Sequence, residues 1–314
     1  MFLASVIVFV TVVMIQLLQM PTAECLFINR RFPVTDTLHT PQKSIGTVVS
    51  KCPKCDCRIS TRKKRVVGGI EAKENEFPSR VSLRTEGQLY CGATVITKQH
   101  LLTAAHCVTK YTAETIEASL GERNRELTYD VNKKTVRIRE IIRHPGFNLS
   151  SSDNDIAILK LNGRISFNTS QIQPACLPNS ENRDYTGYFG TISGWDLTDK
   201  WHKSLSNKMQ KVEVPIIPNE NCRIYSSYRY SANPITDNMM CTGYYFTGQN
   251  ACNGDSGGPL QIKLDGLGTV ETVGIVSWGY KCAPPYYYPT IYTRIDRYRR
   301  WILDNIGDEC LCEI

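Results

Sequence analysis

The chain has 314 residues, 41% hydrophobic, 21% charged and 9% aromatic, a composition that excludes a fully disordered, collagen-like or coiled-coil protein. The formal net charge of +7 is local: residues 24–65 hold ten Lys and Arg against three acids, so residues 66–314 are neutral with 27 of each sign. That neutral body gives no reason to expect a nucleic-acid partner. Thirteen cysteines would be a liability in a reducing cytosol and point to an oxidising compartment.

Residues 1–23 carry no charge, and Phe2 to Met20 is apolar apart from Ser, Thr and Gln. Thr22 and Ala23 are small, and the first charge, Glu24, follows at once. The segment reads as a signal peptide and predicts a secreted, extracellular product. An uncleaved membrane anchor is the competing reading, because the run is just long enough to span a bilayer. Residues 24–65 show no apolar periodicity, are punctuated by Pro33, Pro41 and Pro53, and carry Cys52, Cys55 and Cys57 near their basic end, Arg62-Lys63-Lys64-Arg65. This predicts an extended, disulfide-tied leader; a zinc knuckle would need a fourth ligand that the spacing does not supply.

After Val66 the texture changes to short β-type runs bounded by Gly, Pro, Asn and Asp, with strands expected at 88–96, 155–161, 190–195 and 270–278. Many short strands separated by turns favour a sandwich or barrel, an all-β domain over 66–314. Only the end looks helical, where Ile295, Tyr298, Ile302 and Ile306 recur three or four apart.

Three segments carry chemistry. Gly254-Asp255-Ser256-Gly257-Gly258-Pro259 is a serine in a glycine-rich bend, where the N–H groups of Gly254 and Ser256 can converge on one oxygen as an oxyanion hole requires. Thr103-Ala104-Ala105-His106-Cys107 sets a histidine in an apolar stretch, and Asp153-Asn154-Asp155-Ile156-Ala157 puts a carboxylate at the head of a buried strand. Singly, His106 reads equally as a core histidine and Asp155 as a strand cap. In the order His, Asp, Ser they match the arrangement for nucleophilic acyl transfer.

With Val66-Val67-Gly68-Gly69 and Ser277-Trp278-Gly279 in the same order, residues 66–314 resemble the trypsin/chymotrypsin family of serine endopeptidases. The resemblance implies two packed antiparallel β-barrels with a C-terminal helix, the site lying in the cleft between them. It implies a triad of His106, Asp155 and Ser256, Ser277 beside the Asp155 carboxylate, and substrate pairing along Ser277, Trp278 and Gly279. It implies a zymogen: cleavage after Arg65 frees the Val66 amine to pair with Asp255 and shape the Ser256 loop. The activator is either a convertase reading Arg62-x-Lys64-Arg65 or a trypsin-like protease. Partners are then protein or peptide substrates, the activator and protein inhibitors. The resemblance pairs Cys91 with Cys107, Cys222 with Cys241 and Cys252 with Cys282. Cys176, Cys310 and Cys312 remain to face Cys52, Cys55 and Cys57, which predicts a leader tethered after activation; Cys25 stands alone.

The sequence departs from the tryptic pattern at the pocket floor. Asn250 stands six residues before the serine, where trypsins carry Asp, and Thr290 stands where many relatives have Gly. Loss of the floor charge predicts a preference for uncharged residues, with Gly279 keeping the entrance open and Lys281 and Pro284 to Tyr288 reshaping the adjacent loop. Weak basic cleavage despite Asn250 is the alternative, and a non-catalytic homologue acting as a binding cofactor is the reading from another class. No metal or other cofactor is expected: Glu122 and Asn124 align with calcium-loop ligands, but Tyr129 and Asn132 supply too few acidic oxygens. Asn148-Leu-Ser and Asn168-Thr-Ser are glycosylation sequons.

Overall fold

The structure is a computed structural model and describes residues 57, 70–127, 133–167, 169–195, 206–227, 235–243, 255–264, 268–279 and 289–313. The signal segment, the cleavage point, the strip 244–254, Cys282 and Asn168 lie outside the described residues. Among the described residues no helix is long and apolar enough to cross a membrane.

A short strand β1 (Ile70–Glu71) precedes β2 (Arg80–Thr85) and β3 (Gln88–Val95). Glu86 and Gly87, both at positive φ, form the two-residue turn between β2 and β3 whose twist suits a hairpin. With β4 (His100–Thr103), β5 (Glu117–Leu120), β6 (Lys134–Arg143) and β7 (Ala157–Leu161) they close an antiparallel barrel in the order β2-β3-β4-β7-β6-β5. Val81, Leu83, Ala93, Val95, Leu101 and Leu159 fill it.

After β8 (Cys176–Leu177) come β9 (Phe189–Gly194), β10 (Gln210–Ile217), β11 (Met239–Thr242), β12 (Pro259–Lys263), β13 (Val270–Gly279) and β14 (Thr290–Arg294). These six, β9 to β14, form a second antiparallel ring, closed where β10 pairs with β9; β1 lines its edge on β10. β10 buries alternate residues, and Val212, Val214 and Ile216 meet Leu260, Val273 and Tyr292 inside.

The four expected strands occur as β3, β7, β9 and β13, with ends moved by one or two residues. The terminal periodicity divides into a 3₁₀ turn, Ile295–Tyr298, and the helix α2 (Arg299–Ile306). Ile295, Tyr298, Ile302 and Ile306 are all buried in the core of the first barrel, although they follow the last strand of the second. One helix went unread: α1 (Asn219–Ser227) has no long apolar stripe and is pinned to β11 by the Cys222–Cys241 disulfide. At the end of the chain β15 (Cys312–Glu313) lies parallel to β8.

Candidate active site

β4 delivers the chain to Ala104 and Ala105, both wholly buried, and then to a 3₁₀ turn, His106–Val108. Small residues let this turn press on the barrel, and Cys107 ties it to β3 through Cys91. The imidazole of His106 stays about one-third exposed, at 30%. Asp155 precedes β7 and is 1% exposed. Its Oδ1 accepts the His106 backbone N–H at 2.8 Å and its Oδ2 lies 2.7 Å from His106 Nδ1. An ionised carboxylate only accepts, so Nδ1 carries the hydrogen and Nε2 is left with its lone pair.

Two groups from the second barrel hold Asp155. The Ser277 hydroxyl donates to Oδ2, and Thr293 Oγ1 donates to the Asp155 carbonyl at 2.8 Å. Ser277 sits at the register shift between Val276 and Trp278 where β13 pairs with β14, a bulge that re-aims its side chain. Ser277 was legible in the sequence; Thr293 was not, since a threonine in a strand carries no sign of the carbonyl it meets.

Ser256 is half-buried on a loop stitched to both barrels. Gly92 N–H donates to the Ser256 carbonyl at 2.7 Å, Gly257 N–H to Val276 O at 2.8 Å, and Val276 N–H to Gly258 O at 2.9 Å. Gly257 has φ +77°, and a Cβ there would lie 2.5 Å from Gly92 O, so this position requires glycine. The Ser256 hydroxyl makes no hydrogen bond with His106, whose Nε2 lies 3.6 Å from Cys107 Sγ.

A profile of the trypsin family matches residues 66–302. A curated relative, "Trypsin Blo t 3" of Blomia tropicalis, is 35% identical over 238 residues, which cover 76% of this chain and 84% of the relative. The chain belongs to the trypsin family. A trypsin-family serine protease has protein substrates, and the two closed barrels are those that the motifs implied.

Other predicted residues of this trypsin-family chain fall as follows. Trp278 and Gly279 end β13, and Gly279 faces Thr290 across the sheet, where a Cβ on Gly279 would be 3.7 Å from Thr290 Oγ1. Thr290 is buried. Asn148 is exposed, with Oδ1 accepting from Ser150 N and Ser151 N. Asp255 is wholly buried. Arg65, Val66, Asn250, Gly254, Cys252 and Cys282 lie outside the described residues, as does Asn168.

Cys91–Cys107 and Cys222–Cys241 are formed as the resemblance implied, and Cys57 is bonded to Cys176. That bond removes Cys57 as a zinc ligand. Cys310 and Cys312 are also disulfide-bonded, to partners outside the described residues. At the segment that aligns with the calcium loop of related trypsins, the Glu122 carboxylate is engaged by Arg84 and Lys133 at 2.8 and 2.7 Å and by the Ser82 hydroxyl at 2.6 Å. Burial pushes the Glu122 pKa up, but hydrogen bonds from Lys133, Ser82 and Arg84 outweigh it and hold the group below its ordinary value. Two cations therefore stand where a calcium ion would have to compete.

Proposed function

We propose that this chain is a secreted serine endopeptidase, made as a zymogen and activated by cleavage after Arg65. The observation that carries the reading is His106 fixed through its backbone N–H and Nδ1 by a buried Asp155, with Ser256 on a loop that a required glycine holds against the same barrel. Ser256 Oγ attacks the peptide carbonyl while His106 Nε2 takes its proton and later gives it to the leaving amine. Asp155, steadied by Ser277, orients the ring and stabilises the imidazolium. The N–H groups of Gly254 and Ser256 receive the oxyanion. Water then repeats the sequence on the acyl-enzyme.

Activation follows from charge. A buried carboxylate is costly unless its charge is compensated, and the amine freed at Val66 adds a cation to Asp255. The basic run Arg62-Lys63-Lys64-Arg65 suits either a convertase or a trypsin-like activator. The Cys57–Cys176 bond supports a leader that stays attached after cleavage, and Cys52 and Cys55 are the partners we assign to Cys310 and Cys312. Non-reducing electrophoresis of the cleaved protein reads this directly: release of residues 24–65 without reductant overturns the tether.

Asn250 at the pocket floor, with Thr290 against Gly279, supports an uncharged, medium-sized residue on the acyl side of the scissile bond. The test is a fluorophosphonate probe followed by a peptide-library profile, both on protein cleaved at Arg65. Labelling that Ser256→Ala abolishes is the expected result; a folded, cleaved sample that does not label is a binding homologue instead. A profile dominated by Arg overturns the pocket reading alone.

A further inference from the structure

Arg80 opens β2, points into the protein and is 2% exposed. Arginine is almost never buried this far unless it is paired. Its guanidinium occupies space that glycines leave open: a Cβ on Gly92 would lie 1.6 Å from Nη1, and one on Gly258 would lie 2.6 Å from it. Gly92 belongs to the first barrel and Gly258 to the Ser256 loop, so the group is wedged between them. Nε donates to Ser193 O at 3.0 Å, Nη1 donates to Val81 O at 3.1 Å, and the guanidinium carbon sits 5.5 Å from the centre of the Trp195 ring.

Nη2 is buried and makes no hydrogen bond among the described residues. A Cβ on Gly194 would be 1.6 Å from Asp255 Oδ1 and 3.4 Å from Arg80 Nη2, which puts those two atoms within about 5 Å of each other. Burial lowers the Arg80 pKa to about 10 while the Asp255 charge pushes it back up, so the guanidinium is charged at neutral pH.

We propose that Arg80 is a standing counter-cation for Asp255, a positioning residue that steadies the buried carboxylate next to the nucleophile whether or not residue 66 carries a free amine. The inference rests on the protease reading above and adds a second cation to its activation site. A carboxylate already faced by one charge gains less from the arrival of another. The uncleaved chain therefore keeps a measurable part of the Ser256 reactivity, and that part depends on the charge at position 80.

The experiment compares wild type, Arg80→Lys and Arg80→Met as full-length chains, each cleaved and each left uncleaved by Arg65→Gln. The readouts are the rate of fluorophosphonate labelling and the melting temperature. Arg80→Met is expected to slow labelling of the uncleaved chain at least about tenfold, Arg80→Lys less than about threefold, and both are expected to matter less once the amine is free. Equal losses in Lys and Met variants overturn the proposal and leave Arg80 as packing. If Arg80→Met does not fold, adding Asp255→Asn is expected to restore folding, since no carboxylate then needs a cation; failure to restore it also overturns the proposal. Cleaved wild type that does not label refutes the protease reading, and this inference with it.

Discussion

Replacing Gly257 by Ala should loosen the Ser256 loop from the first barrel. At φ +77° an L side chain costs about 1–2 kcal/mol before any contact is considered. The new Cβ would lie 2.4 Å from Thr103 Oγ1 and 2.5 Å from Gly92 O, and the second of these is backbone that cannot rotate away. Relief needs a movement of about 1 Å to restore ordinary contact. That movement strains two hydrogen bonds of 2.7 Å, Gly92 N–H to Ser256 O and Thr103 Oγ1 to Gly92 O, each worth about 1 kcal/mol. The combined loss is roughly 3–4 kcal/mol, a fall in melting temperature of about 6–16 °C for a domain of this size. Thermal unfolding measures the first effect, and fluorophosphonate labelling of the cleaved protein measures displacement of the nucleophile. Adding Thr103→Ala should recover only part of the loss, because the clash with Gly92 O remains. A Gly257→Ala protein that melts within about 2 °C of wild type and labels at the same rate would refute the argument.

Ser277→Ala removes a charge-assisted hydrogen bond to Asp155 worth about 1.5–3 kcal/mol, so kcat/KM should fall roughly 10- to 100-fold with KM little changed. An unchanged kcat would deny Ser277 any part in holding Asp155. Asn250→Asp should raise cleavage after Arg relative to uncharged residues by about two orders of magnitude, read from a peptide library; an unaltered profile would mean that position 250 is not the pocket floor. His100 is buried against Thr97, and burial, then Lys160, lowers its pKa. The stability it lends is present above its unfolded pKa of about 6.5 and is lost as pH falls through the folded value. His100→Gln should therefore flatten the decline in melting temperature as pH falls below about 6.5, and a parallel decline would show that other groups set it.

The local features of this protein are written along the chain. Alternation and turn residues marked β3, β7, β9 and β13, the three-and-four spacing marked Ile295 to Ile306, and the glycine after Ser256 marked a bend at positive φ. His106, Asp155, Ser256 and Ser277 were legible because each sits in a short, ordered motif. α1 was not, because a disulfide rather than an apolar stripe holds it.

What only tertiary structure decided is which distant groups meet. Thr293 reaches the Asp155 carbonyl across 138 residues, and β8 pairs with the far end of the chain at β15. Arg80 shows the limit most sharply: in sequence it is a lone charge between Phe77-Pro78-Ser79 and Val81-Ser82-Leu83, and only closure of the two barrels buries it beside Asp255. Periodicity and turn chemistry act over a few residues, so the chain displays them directly. The cost of burying a charge depends on what the folded surroundings bring to it, and those surroundings do not exist until both barrels have packed.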